Sequence, residues 1–410
     1  MFSPKTISPD SKIYPTLVEA LVRSLQICFF DKVKADKVIE KTLKSDRRWG
    51  ARDRSFIAEN FYEIIRWWRL LMYISGIDEN RWDENSVYQL VNTWIFLNTG
   101  KLFYKTKADE AFIEKIKKNR VSLSGFNAIT ASIPDWLHEE GLASYGDDWE
   151  RSVVTLNTPA RVYLRANTFK GTKLDLAQRL IVEGIETEQP DFLSDGLVLS
   201  QRKNVFATKA FKEGWFEVQD GGSQLIAPLL DVLPGMRVCD ACAGGGGKTL
   251  HLSNLMRNKG KIIAMDIYEH KLKELQVRCK RNGAGNVETR LIESKTIKRL
   301  FSSFDRLLLD VPCSGTGVLR RNPDAKWKLE PNFINELEIT QQNIINNYSK
   351  MLRPGGKMVY ATCSILPREN EIQVRKFLEK NPNFELLKEL RILPHHLDTD
   401  GFYAAVLLKS

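Results

Sequence analysis

A chain of 410 residues with 43% hydrophobic and 27% charged residues has the composition of an ordinary globular protein and the length for two or three domains. Its formal net charge of +10 favours polyanionic partners, nucleic acid first, although a generally solvated basic surface would give the same value. Six cysteines are too few for a disulfide framework, the start MFSPKTISPDSK lacks the apolar core of a secretory signal, and no apolar run reaches membrane-spanning length. These features lead us to expect a cytoplasmic protein with reduced thiols and no membrane contact; a monomer is expected, though none of them decides it.

From about Pro15 to Asn127 the pattern is helical. Leu17, Leu21, Leu25 and Cys28 recur at near-helical spacing, with Val18 and Val22 widening the stripe. A long amphipathic run follows through Phe56, Phe61, Ile64, Trp67, Trp68 and Leu71, and no strand-like alternation interrupts it. Residues 1–130 therefore read as an all-helical domain whose aromatic residues form core rather than base-stacking platforms. Arg47, Arg48, Arg52, Arg54, Arg66 and Arg69 are candidates for tracking phosphate, a solvated face being the plain alternative. Ser132, followed by Ile133-Pro134-Asp135-Trp136, reads as the cap of a short helix. After Thr158-Pro159 the texture changes. Residues 161–166 alternate like a strand, 174–183 read as a helix, and 196–199 and 216–218 read as short strands. Residues 131–218 thus form a linker helix and a small α+β, RRM-like unit.

From Gln219 onward, strands alternate with helices. Strands are expected at 237–240, 261–266, 288–292, 306–310 and 357–361, and helices at 247–257, 269–281, 331–352 and 369–379. The fold class is α/β, a doubly wound, mostly parallel Rossmann-like sheet occupying 219–410. A last strand, 402–408, belongs on the edge or runs antiparallel. Ligands of such sheets bind beyond the carboxyl ends of the strands, where Asp240, Asp266, Asp310 and Cys363 fall.

The first strand-to-helix turn reads Asp240-Ala241-Cys242-Ala243-Gly244-Gly245-Gly246-Gly247-Lys248-Thr249. Small residues let a ligand approach the backbone, and the helix start offers partial positive charge. It is not a phosphate loop, which needs Gly where Cys242 stands, nor a dinucleotide fingerprint, whose last Gly would fall on Thr249. Asp266, ending the second strand, suits a ribose diol, and Glu293, near the end of the third, suits an adenine amino group; helix capping is the plain alternative for a strand-end Asp. With no phosphate motif, this set suits S-adenosylmethionine better than a dinucleotide. Cys239-x-x-Cys242 has no second pair, and the five histidines show no ligand spacing, so no metal is expected. Cys28, Cys239 and Cys279 read as small buried or helix-face residues.

Two strand ends each present a thiol, Cys313 and Cys363. A pyrimidine is a poor nucleophile at carbon 5 until a nucleophile adds at carbon 6. A thiolate can make that addition, after which carbon 5 can take a methyl group, and a second group must remove its proton so that the first thiol leaves. Asp310, three residues before Cys313, could stabilise the ring as it accepts electrons.

The runs Asp310-Val311-Pro312-Cys313-Ser314-Gly315-Thr316-Gly317, Arg320 to Trp327, and Tyr360-Ala361-Thr362-Cys363-Ser364 to Asn370 resemble the RNA cytosine-5 methyltransferases, most of all the bacterial small-subunit ribosomal RNA enzymes of the Sun/Fmu type. The resemblance extends over about Ile133 to Ser410, including Leu164-Arg165-Ala166-Asn167 and Gln219-Asp220-Gly221-Gly222-Ser223. Asp53 to Arg66 more weakly resembles the helical, NusB-like RNA-binding domain of those enzymes. The resemblance implies Cys363 as nucleophile, Cys313 as the residue that helps release product, Asp310 at the cytosine edge, and Lys248 beside base and cofactor. It also implies that Cys242, Ala243, Gly244, Gly245, Gly246, Gly247, Lys248, Asp266, Glu293 and Asp310 hold S-adenosylmethionine. Gly244-Gly245 stand where the family usually has Ala-Pro, and Glu293 where it usually has Asp. A DNA cytosine methyltransferase would carry a Glu-Asn-Val segment, and an amino-group methyltransferase an Asn/Asp-Pro-Pro-aromatic run; neither is found. Small-subunit ribosomal RNA is the expected substrate, with transfer RNA or a non-catalytic assembly role as alternatives.

Overall fold

The computed structural model describes every residue except 1, 3, 5 and 106. The chain forms two compact units: Met1–Thr158 with Leu319–Leu329, and Pro159–Val318 with Glu330–Ser410. These limits differ from the boundaries at 130 and 218 read from the sequence. The helices after 130 join the helical unit, and the small α+β sheet joins the large one.

The helical unit contains α1 (Pro15–Phe29), α2 (Ala35–Ser45), α3 (Ala51–Arg66), α4 (Trp68–Ser75), α5 (Glu84–Thr99), α6 (Asp109–Val121), α7 (Asp135–Tyr145) and α8 (Asp147–Leu156). Helix α5 shows local chemistry setting both ends. The Asp83 carboxylate accepts from Ser86 N at 2.9 Å at its start, and Gly100 leaves it with φ +74°. Leu21, Leu25, Ile57, Phe61, Leu71 and Trp94 pack into one buried core, so the aromatic residues are core as expected.

The amphipathic run is helical, divided at Trp67, which leaves helical geometry (φ −103°, ψ 21°) between α3 and α4. Two readings need correction. Ser132 does not cap α7; it lies at φ +51°, and its hydroxyl accepts from Leu70 N at 3.4 Å. Arg66 and Arg69 are not phosphate-facing. Arg66 is 3% exposed, pairs with Glu63 and donates to Leu156 O, and Arg69 is clamped between Glu79 and Asp135.

The segment Leu319–Leu329 is built into this unit. The buried Lys326 amine donates to Arg66 O at 2.8 Å and Asn157 Oδ1 at 3.1 Å, and Trp327 Nε1 donates to Ile65 O at 2.8 Å. Asp324 Oδ2 accepts from Ala35 N, the first amide of α2, at 3.1 Å.

The second unit begins with β1 (Tyr163–Ala166), α9 (Lys173–Val182), β2 (Thr187–Glu188), β3 (Gly196–Leu199) and β4 (Phe216–Val218), an antiparallel sheet of order β2-β3-β1-β4. The larger sheet contains β5 (Arg237–Asp240), β6 (Lys261–Asp266), β7 (Val287–Leu291), β8 (Phe304–Asp310), β9 (Leu352–Thr362), β10 (Phe384–Ile392) and β11 (Phe402–Lys409), in the order β10-β11-β9-β8-β5-β6-β7. Strands β5 to β9 pair in parallel, whereas β11 runs antiparallel to both neighbours. The edge beside β11 is occupied by β10, which has no counterpart among the expected strands.

Strand alternation divides the core. Leu307 and Leu309 join one layer with Met265, Met358 and Tyr360, while Leu308 joins the other with Val238, Ile262, Val359 and Leu252 of helix Gly247–Leu255. The same parity places Asp310 on the side of that helix. The two sheets are tied by buried polar side chains rather than by apolar contact alone. Asn167 donates to Gly214 O and Asn282 O and accepts from Asn254, and Glu217 takes Arg278, Arg281 and Asn282.

Candidate active site

The site forms where β5, β6, β8 and β9 end together. Strands β8 and β9 run in parallel register with Asp310 opposite Ala361, so Cys313, three residues beyond the one, and Cys363, two beyond the other, leave the sheet side by side. Val311 N extends the ladder to Ala361 O at 3.0 Å, and Gly317 N reaches Cys363 O at 2.9 Å. Gly317 has no room for a side chain: an added Cβ would lie 2.2 Å from Gly401 O and 2.7 Å from Cys363 O. With the two turns held so closely, Cys313 Sγ and Cys363 Sγ are 3.4 Å apart, both partly exposed. The hydrogen bond to Cys363, together with burial, pushes the Cys313 thiol well above the ordinary range.

On the other side of Asp310 lies Lys248, in the first turn of helix Gly247–Leu255. Its Nζ is 2.7 Å from Asp310 Oδ2, and it rests over the Phe402 ring at 5.4 Å. Burial opposes the charge on Lys248, but the Asp310 carboxylate outweighs it and leaves Lys248 above the usual lysine range. This is a charge-assisted pair at the edge of the thiol site.

The Gly-rich turn is held by atoms from three directions. Asp266 accepts from Gly244 N at 2.9 Å and, with its other oxygen, from Tyr268 N at 2.9 Å. Arg278 donates to Gly245 O, and the buried Arg165 donates to Gly247 O at 2.8 Å. Gly246, at φ +83°, lies where an added Cβ would meet Leu275 at 2.0 Å. The glycines at 244 and 245 therefore do not leave a slack loop. Gly244 faces open space, with nothing within 4 Å of an added Cβ, as a turn must if a ligand is to lie against its backbone.

Asp240 is buried beneath this turn. Its Oδ2 accepts from Thr249 Oγ1 at 2.7 Å, its Oδ1 has no partner among the described residues, and burial raises its carboxyl to about 7. Cys242 is pushed well above the usual thiol range by burial and the neighbouring acids. Cys28, Cys239 and Cys279 are buried. The structure thus brings Lys248, Asp310, Cys313 and Cys363 into one cluster, with Cys242 to Gly247 and Asp266 beside it. Glu293 is exposed just beyond the end of β7, one residue after Ile292, whose N donates to Asp266 O at 3.0 Å, and its own amide donates to Thr296 Oγ1.

Sequence reasoning did not assign a role to Glu369. This buried carboxylate accepts from the residue that follows each thiol, Ser314 and Ser364, and its only sequence signal was its place in the run that ends at Asn370.

Comparison with known proteins gives a consistent picture. A family described as 16S rRNA methyltransferase RsmB/F matches residues 227–408, and one described as an RsmF/B-like ferredoxin-like domain matches residues 133–206. The probable ribosomal RNA small subunit methyltransferase B of Bacillus subtilis is 32% identical over 303 residues, which cover 69% of this chain and 68% of that protein. The crystal structure of PH0851 superposes with a TM-score of 0.80 at 26% identity, covering 97% of this chain and 100% of that one. A methyltransferase homolog protein from Pyrococcus horikoshii superposes with a TM-score of 0.63 at 27% identity, covering 69% of this chain and 97% of that one.

Proposed function

This chain belongs to the RsmB/F family of methyltransferases, and on that premise we propose that it methylates carbon 5 of a cytosine in small-subunit ribosomal RNA. The observation that carries the reading is the pair of thiols 3.4 Å apart at neighbouring strand ends, beside a Lys–Asp pair.

The residues of the Gly-rich turn fit S-adenosylmethionine: an open backbone cradle at Gly244, a strand-end carboxylate at Asp266, and no phosphate motif. Cys242 to Lys248 and Asp266 would hold it, with Glu293 and Asp310 completing the site. When bound there it supplies the methyl group.

The chain's own residues carry the rest. The Cys363 thiolate adds to carbon 6 of the cytosine, and the ring's electrons move toward carbon 5 and the edge that Asp310 contacts. Lys248 holds Asp310 in place and keeps its own charge beside the base. Once carbon 5 has been methylated and Cys363 is bound to the base, Cys313 gives its own proton to solvent and, as thiolate, takes the proton from that carbon. The freed electron pair restores the ring double bond and expels Cys363. A thiol pushed upward is a strong base once ionised, which suits Cys313 to this second step. The target base must be unpaired or flipped to reach partly buried thiols. The helical unit would add phosphate contacts from Arg47 and Arg54, which with Glu40, Leu43 and Lys44 line a cavity of about 520 Å³.

The test is direct. The protein is incubated with isotopically methyl-labelled S-adenosylmethionine and either small-subunit ribosomal RNA or transfer RNA, and the digested nucleosides are identified by mass spectrometry. Labelled 5-methylcytidine from the ribosomal RNA is expected. Label on an exocyclic nitrogen, or in transfer RNA alone, would overturn the reading.

A further inference from the structure

We propose that Glu369 is a positioning residue that sets the spacing of the two thiols by tying the turn after Cys313 to the turn after Cys363. The inference rests on the proposed roles of those thiols, but its geometry stands independently. Glu369 is 0% exposed, in the short 3-10 turn Pro367–Glu369. Its Oε1 accepts from Ser314 N at 2.8 Å, and its Oε2 accepts from both Ser314 Oγ and Ser364 Oγ. Ser314 and Ser364 are the residues immediately after Cys313 and Cys363, so one carboxylate joins two turns 50 residues apart in sequence.

Surrounding contacts fix the carboxylate itself. Gln341, from helix Pro331–Tyr348, donates through Nε2 to Glu369 Oε1 at 3.1 Å and to Pro312 O at 3.0 Å, reaching both sides of Cys313. Tyr360 donates to Glu369 O at 2.7 Å. Thr316 Oγ1 lies 3.0 Å from Ser364 Oγ and accepts from Ile365 N at 3.1 Å. Burying a carboxylate is costly unless it is fully hydrogen-bonded, and here the donors come from both thiol turns. Each turn is therefore stable only in the position that satisfies the shared acid.

The test measures thiol proximity as well as turnover. The full chain and the variants Glu369→Ala, Glu369→Gln and Ser314→Ala/Ser364→Ala are treated with the thiol oxidant diamide, and formation of a Cys313–Cys363 disulfide is followed by mass spectrometry. This readout needs neither RNA nor methyl donor, so it can fail independently of the proposed function. Glu369→Ala is expected to slow cross-linking about tenfold and to lower kcat about 10²-fold, with KM for S-adenosylmethionine within about twofold of wild type. Glu369→Gln keeps the shape and most of the hydrogen bonds and is expected to recover much of the cross-linking rate. If Glu369→Ala does not fold, the double serine variant carries the same test, because it removes a strut from each turn. Wild-type cross-linking in Glu369→Ala or in the double serine variant, or a loss of kcat in either without slower cross-linking, would overturn the proposal.

Discussion

The helical unit and the strand ends around the thiols treat buried charge in opposite ways. In the helical unit the buried cations are neutralised locally. Arg66 and Arg69 are paired with acids and carbonyls, and Lys326, driven well below the usual lysine range by burial and then by Arg66, donates hydrogen bonds to Arg66 O and Asn157 Oδ1. The second unit pairs Glu217 in the same way with Arg278, Arg281 and Asn282, but around its strand ends the polar and reactive groups keep spare capacity. Asp240 Oδ1 and Gln341 Oε1 have no partner among the described residues, and the thiols of Cys313 and Cys363 face each other. A buried group with all its valences used holds a fold together, whereas one held in place with a valence to spare can act on a ligand.

Breaking the Lys248–Asp310 pair should show this contrast most strongly. Asp310→Asn removes the carboxylate that keeps Lys248 charged and that the proposed mechanism places at the base edge. We expect kcat to fall by about 10² to 10⁴-fold, the range of a lost acid–base partner, with the melting transition little changed. Steady-state kinetics alongside thermal denaturation checks it, and a variant that loses stability instead of turnover would place this pair with the structural ones.

Much of this contrast was legible in the sequence, and the failures have physical causes. The strand-to-helix alternation and the strand-end positions of Asp240, Asp266, Asp310 and Cys363 follow from apolar runs bounded by turns, which local pattern reports well. Strand β10 was not seen because it lies at the edge with most side chains exposed, so its sequence, Phe384-Glu385-Leu386-Leu387-Lys388-Glu389-Leu390-Arg391-Ile392, has neither an apolar run nor clean alternation. Arg66 and Arg69 could not be separated from Arg47 and Arg54, because only packing decides which arginine meets an acid. The attachment of Leu319–Leu329 to the helical unit, and the reach of Glu369 to both thiol turns, depend on contacts between residues far apart in the chain.

A smaller effect comes from Asp240. Its folded pKa of about 7 is raised from the ordinary 3.8, so the unfolded chain ionises first as pH rises. Stability should decline from about pH 4 to about pH 7 and then level off, by up to about 4 kcal/mol for a shift of this size. Asp240→Asn should remove that part of the pH dependence, as denaturant unfolding at about pH 5 and about pH 8 would show; equal slopes in wild type and variant would mean that the acid is already ionised in the fold.

The smallest effect belongs to the exposed arginines of the helical unit. Replacing Arg47 and Arg54 with Ala should weaken RNA binding several-fold and lower the salt slope by about 0.7–0.9 per lost phosphate contact, with kcat at saturating RNA unchanged. Binding measured across a salt series tests it, and an unchanged slope would assign those side chains to solvent.

The most direct measurement is the covalent one. Protein, RNA and S-adenosylmethionine are mixed, denatured and run on a gel that separates free protein from protein joined to RNA. With Cys313→Ala a denaturation-resistant adduct should accumulate, because addition proceeds while release fails. With Cys363→Ala neither adduct nor methyl transfer should appear. Methyl transfer at the wild-type rate by Cys363→Ala would contradict the assignment of the nucleophile, and with it the division of labour between the two thiols.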